Sequence, residues 1–165
     1  PSSKFLAQKM LKNIDFSISN VLVELGPGNG AITNEILKKI GPNSHLICFE
    51  VNDVFYQYLK KMEHPQLTVL NVSAEYMQEE LERLGYAKTS HIISSLPLTI
   101  IPQPISHLIL KKSLQSLEVN GTFIQFQYSL TYYKYLKMVF KDAISLDFEM
   151  LNFPPAFVYR CEKLN

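Results

Sequence analysis

The sequence predicts an α/β protein: a doubly wound, mostly parallel sheet covered by helices, with an antiparallel strand pair at one edge. Three observations lead there. Strand-like and helix-like segments alternate along most of the chain at the spacing of right-handed βαβ units. The first strand-like run ends in a glycine-rich turn that opens onto a helical pattern. The last two strand-like runs follow each other without a helix, separated only by a turn that holds Pro154-Pro155.

Each element has its own signal. Residues 20–25 (NVLVEL), mostly apolar, read as a buried strand that runs into a glycine-rich turn. Residues 31–40 (AITNEILKKI) carry apolar side chains at helical spacing and stop at Gly41-Pro42. A second strand is expected over 45–50 (HLICFE), a helix over 53–62 and a third strand over 67–72. The charged amphipathic stretch 75–84 predicts a helix closed by Gly85, and 91–96 (HIISSL) a fourth strand. A helix over 105–117 leads to a fifth, alternating strand over 121–128 (GTFIQFQY). The tyrosine-rich 131–140 reads as helical, and 144–150 and 156–162 as the closing strands.

At 165 residues the chain fits one domain, 1–165, with 1–16 as an N-terminal helical segment. A composition that is 47% hydrophobic and 19% charged belongs to a folded globular chain. Sixteen basic and 15 acidic residues leave a net charge of +1, without the basic excess of a dedicated nucleic-acid binder. Cys48 and Cys161 belong to no CxxC pair, and Cys48 lies in an apolar run, so a buried, reduced thiol is expected at Cys48. The histidines, at 45, 64, 91 and 107, lack ligand spacing, so no metal is expected. No apolar run reaches the roughly 20 residues that span a bilayer. With no signal peptide visible, the cytoplasm is the expected compartment.

Ligands of doubly wound sheets sit at the carboxyl ends of the strands. The turn Glu24-Leu25-Gly26-Pro27-Gly28-Asn29-Gly30 lies at such an end, where its glycines permit tight turning and close backbone approach. A bare GxGxG turn also serves dinucleotide-binding enzymes. The preceding acidic residue and the proline make this one more specific.

The run resembles the first motif of class I S-adenosylmethionine-dependent methyltransferases. That resemblance implies a Rossmann-like fold and S-adenosylmethionine as cofactor, cupped by Gly26, Pro27, Gly28 and Gly30. Glu50, followed by Val51, ends the second strand and would accept the ribose hydroxyls. Glu24 would support the loop or the methionine amino group. Relatives often carry Gly-Asp-Ala after the third strand, with the aspartate at the adenine amine. Here Ser73 takes that place, beside Ala74.

The whole chain is similar to bacterial soluble phospholipid N-methyltransferases, which methylate phosphatidylethanolamine. The matching pieces are Pro1-Ser2-Ser3 with Leu6-Ala7 and Met10, the glycine turn, Ser94-Ser95-Leu96-Pro97-Leu98, Gln125-Phe126-Gln127-Tyr128-Ser129, and residues 152–160 (NFPPAFVYR). The resemblance implies a membrane phospholipid as methyl acceptor, met by peripheral contact at the inner face of the membrane. Ribosomal RNA adenine dimethylases share the glycine turn but end their fourth strand in an Asn-Leu-Pro-Tyr type motif. Here Leu98 cannot stack on a base, so RNA is the lesser expectation. A non-catalytic cofactor-binding domain is the third.

Ser94 is expected at the cofactor, with Ser95 and Tyr128 as catalytic candidates facing the methyl group. Tyr128 reads equally as an amine-orienting hydroxyl and as packing at the pocket wall. His91 and His107 read as structural, and no general base is identified. The amphipathic stretch 4–14 reads either as a helix that packs on the sheet and closes the cofactor pocket or as a basic helix on an anionic membrane. Residues 131–140, with Lys134 and Lys137, are a second candidate for membrane contact.

Overall fold

A computed structural model describes residues 4–165; the opening Pro1-Ser2-Ser3 lies outside the described residues. The strands are β1 Val21–Leu25, β2 His45–Phe49, β3 Leu67–Leu70, β4 Thr89–Ser94, β5 Leu117–Gln127, β6 Ile144–Glu149 and β7 Ala156–Glu162. The helices are α1 Lys4–Leu11, α2 Ala31–Leu37, α3 Asp53–Lys60, α4 Met77–Arg83, α5 Gln103–Ser116 and α6 Tyr133–Phe140. The strands form one sheet in the order β3-β2-β1-β4-β5-β7-β6. β3, β2, β1, β4 and β5 are parallel, whereas β7 runs antiparallel to both β5 and β6. Strand order reverses beside β1, which has β2 on one side and β4 on the other, and this places a crevice at the carboxyl ends.

Strand alternation divides the core into two layers. Val21, Val23 and Leu25 of β1 join Ile92, Phe123, Met77, Leu110 and Leu136 on the face covered by α4, α5 and α6. Leu22 joins Leu46, Cys48, Ile93, Ile124 and Val158 on the other face, under α1 and α2. Leu6, Ala7, Met10 and Leu11 bury one side of α1 in this second layer. Lys9 and Lys12 pair with Asp147 of β6, and Arg160 of β7 approaches the same carboxylate at 3.9 Å while donating to the Lys9 and Met10 carbonyls. α1 thus packs on the sheet, and its Lys9 and Lys12 turn to β6.

Three elements differ from expectation for local reasons. The helix expected over 75–84 is split, because the Ser73 side chain accepts from Glu75 N and starts a short 3₁₀ turn, Ala74–Tyr76, ahead of α4. β5 begins four residues earlier than its alternation suggested, and β4 two residues earlier. They meet through a register shift at Thr89/His91, where a Cβ on Gly121 would lie 2.7 Å from the Ser90 carbonyl. Among the described residues, no helix is long and apolar enough to cross a membrane.

Candidate active site

β1 delivers the glycine turn to the crevice. Gly26 N donates to Phe49 O at 3.0 Å, tying the turn to β2, and Gly30 N donates to Pro27 O at 3.0 Å, closing the turn at the start of α2. Gly26 and Gly28 have φ of 66° and 56°, conformations that cost a residue bearing a Cβ. At Gly28 a Cβ would meet nothing within 4 Å, so the backbone there borders open space. At Gly26 it would lie 2.9 Å from Leu96 Cδ2.

Two cavities flank that contact. One, of ≈ 300 Å³, is lined by Gly26, Pro27, Gly28, Phe55, Ser95 and Tyr128, among others. The second, of ≈ 200 Å³ and mostly apolar, is lined by Gly26, Glu50, Val51, Ser73, Ala74 and Leu96, with Ile101 and Ile105 opposite. Glu50 is almost fully buried. Its two oxygens accept from Gly28 N at 3.0 Å and Asn52 N at 2.9 Å. Each oxygen retains lone-pair capacity, as two adjacent ribose hydroxyls require. The Ser73 side chain is engaged with Glu75 N at 3.5 Å, so its capping role competes with any bond to an adenine amine. A carboxylate beside an apolar slot, next to an open glycine turn, fits the adenosine and methionine ends of S-adenosylmethionine.

Ser95 and Tyr128 both line the first cavity, together with Phe126. Ser95 N donates to Leu25 O at 2.9 Å, while its buried hydroxyl has no partner among the described residues. The Tyr128 ring stands edge-on to Phe126, with centroids 5.6 Å apart.

Two expected positions are corrected. Glu24, expected at the loop or the methionine amino group, lines neither cavity, because β1 directs it beneath α2. There Oε2 accepts from Thr33 Oγ1 at 2.6 Å and from Cys48 Sγ at 3.5 Å, and Oε1 is unpaired. Burial pushes its carboxyl up to about 7; the Thr33 and Cys48 bonds pull the other way, and the charge of Glu50 adds to the rise. Ser94 lines neither cavity. It is fully buried on the opposite face, where its hydroxyl accepts from Leu96 N at 3.3 Å. Gln125 Nε2 donates to Leu96 O at 3.0 Å, so these two polar groups fix the leucine that separates the cavities.

Sequence reasoning missed Phe55, Phe126 and Leu96 as wall residues, since each reads as ordinary core or helix surface. It also missed a third cavity, of ≈ 310 Å³, beside Leu98, Ser106, Tyr132 and Lys134. The histidines stand apart from the site: His91 Nδ1 lies 2.7 Å from Thr122 Oγ1 within the sheet, and His107 is on the exposed side of α5. Among the described residues, no group of three or more His, Cys, Asp or Glu side chains could hold a metal ion.

If Ser95 and Tyr128 act on the acceptor, Tyr128→Phe and Ser95→Ala will lower turnover and leave S-adenosylmethionine affinity within a factor of about two. One hydrogen bond to a charged group is worth about 1.5–3 kcal/mol, or roughly tenfold to hundredfold in rate. Steady-state kinetics with a parallel binding titration separates the two quantities, and full turnover in both variants would remove these residues from the reaction.

A family profile described as ribosomal RNA adenine dimethylase matches residues 2–142. The chain is 28% identical over 163 residues to an ornithine lipid N-methyltransferase of Singulisphaera acidiphila, covering 98% of this chain and 85% of that one. It is 27% identical to ribosomal RNA small subunit methyltransferase A of Ureaplasma urealyticum, covering 77% of this chain and 48% of that one. The chain thus spans about half the length of that ribosomal relative. Solved structures agree in fold. TrmN from Thermus thermophilus superposes with a TM-score of 0.72 at 16% identity, over 99% of this chain and 49% of that one. Precorrin-6y C5,15-methyltransferase from Geobacter metallireducens does so at 0.74 and 12%, over 96% and 87%.

Proposed function

We propose that this chain, which belongs to the ribosomal RNA adenine dimethylase family, transfers the methyl group of S-adenosylmethionine to an amine on a membrane phospholipid. Family membership makes it an S-adenosylmethionine-dependent methyltransferase; the lipid acceptor is the proposal. The observation that carries it is the likeness to the ornithine lipid enzyme, which runs through nearly the whole of this chain and most of the relative. Phosphatidylethanolamine is the headgroup first expected.

S-adenosylmethionine, when bound, supplies an electrophilic methyl on a sulfonium for in-line attack by a neutral amine. Glu50 would receive the ribose hydroxyls, and the apolar wall of Val51, Leu96, Ile101 and Ile105 would enclose the adenine. The open backbone at Gly28 would admit the methionine end. Ser95 Oγ and the Tyr128 hydroxyl would aim the amine, while Phe55, Phe126 and Tyr128 offer ring faces to the cationic product. Among the described residues, none that lines this cavity is a carboxylate or histidine.

Radiolabelled methyl donor supplied with phosphatidylethanolamine vesicles, ornithine-lipid vesicles and unmodified ribosomal RNA tests the acceptor. Label in either lipid is expected. Label in RNA alone would support the second reading, adenine methylation, which the family profile favours.

A further inference from the structure

The carboxyl edge of the sheet, where both proposed ligand cavities open, has an unusual surface. The stretches 95–106, 126–133 and 150–159 carry no charged residue, and Lys134 is the first to follow the second of them. All three are brought to this edge by topology. The first follows β4 and the second spans the end of β5. The third is the β6–β7 turn with most of β7, whose Phe157 pairs with Gln127 of β5. Apolar side chains stand outward there: Phe153 is 91% exposed, Ile100 82%, Met150 74%, Leu151 66% and Leu130 50%. The β6–β7 turn is braced from within. Leu151 N donates to Glu149 Oε1 at 2.8 Å and Asn152 Nδ2 to Pro154 O at 2.7 Å, so Phe153 is presented by a structured turn. The opposite edge carries Glu63, Lys88, Glu118, Lys141, Asp142, Glu162 and Lys163, the ordinary charges of a solvated surface.

Single exposed apolar residues are common, but several of them on charge-free stretches at the same edge of a sheet mark an interaction surface. RNA would need lysines or arginines at its phosphates, and this rim presents one. A bilayer interface accepts apolar tips flanked by tyrosines and an adjoining lysine, and Tyr128, Tyr133 and Lys134 supply these. We propose that this rim, led by Phe153, Met150 and Leu151 of the β6–β7 turn, inserts into the headgroup layer of a phospholipid bilayer. The cavity mouth would then face the plane in which lipid amines lie. The choice of a bilayer as partner rests on the lipid-acceptor reading above. Binding by insertion also predicts weak dependence on salt, because few counterions are displaced.

The chain contains no tryptophan, so one introduced residue reports alone. In a Phe153→Trp variant, mixed phosphatidylethanolamine and phosphatidylglycerol vesicles should shift emission to the blue, and brominated acyl chains should quench it. An Ile18→Trp variant, at the opposite edge, should show neither effect. A Met150→Asp, Phe153→Asp double variant with unchanged melting temperature should bind vesicles about tenfold or more weaker, since two buried apolar side chains are lost. Its turnover on a monomeric, short-chain phosphatidylethanolamine should be unchanged. An unquenched Phe153→Trp variant overturns the docking surface, even if vesicle lipid is methylated. Quenching without transfer to any lipid amine leaves the docking surface standing and removes the lipid acceptor instead.

Discussion

Glu50→Ala will raise the dissociation constant for S-adenosylmethionine by roughly a hundredfold or more, the loss of charge-assisted hydrogen bonds worth about 1.5–3 kcal/mol each. The expectation has two sources. The carboxylate would face both ribose hydroxyls, and it also holds Gly28 N and Asn52 N, so its removal loosens the wall on which the cofactor rests. Glu50→Gln should fall between alanine and wild type, since one oxygen remains to accept. Calorimetric titration of the three proteins checks the order. An unchanged constant in the alanine variant would mean that the ≈ 200 Å³ cavity is not where the adenosine end sits.

A second large effect should appear in the pH dependence of stability. Glu24 moves from an ordinary value of 4.5 to about 7 on folding, so the folded state holds this proton more tightly than the unfolded one. Its stabilising contribution is fully present below about 4.5 and lost as pH rises through 7, a swing of about 3 kcal/mol. For a chain of this size that corresponds to about 6–12 °C in melting temperature. Glu24→Gln cannot ionise, yet it keeps an acceptor for Thr33. The drop in melting temperature between pH 5 and pH 8 should therefore be smaller in the variant by about that amount. Burial lowers the pKa of His45 and His91. Both therefore act in the opposite direction within this window, gaining stability as pH rises, and they do so equally in the two proteins. The difference between the proteins isolates the carboxyl, and identical pH profiles would show that Glu24 does not carry the buried proton.

The centre of the parallel sheet was legible because β1 and β2 are almost entirely buried and mostly apolar, so they read as strands covered on both faces. Runs such as Val21–Leu25 and His45–Phe49 leave little room for another assignment. The glycine turn was legible because the positive φ of its glycines at a strand end calls for that residue type, and Glu50 was placed at the end of β2 by the same strand pattern; its contact with ribose hydroxyls is the proposal. Ser94 and Ser95 show where such reading stops. They are adjacent and chemically identical, but the two-residue period sends one into the opposite layer and the other into the cavity. The register of β4, which ends two residues before the expected end, decides which. Glu24 shows the same limit in another form, because its spacing from the turn fits a ligand contact and a buried brace equally well. The role of Phe126 and Phe55 depends on pairing between distant segments, and nothing local distinguishes them from core.

Leu96 gives the site a property that its residue inventory does not convey. Clamped by Ser94 and Gln125, it stands between two compartments that both border Gly26, and this shared doorway is narrow, since a single methyl there would come within 2.9 Å of the leucine. On the proposed placement, one molecule must pass through that doorway to occupy both rooms. Were the doorway closed, each compartment could still receive a fragment, a nucleoside on one side and an amino acid on the other. The two would no longer be parts of one methyl donor, and transfer depends on that continuity.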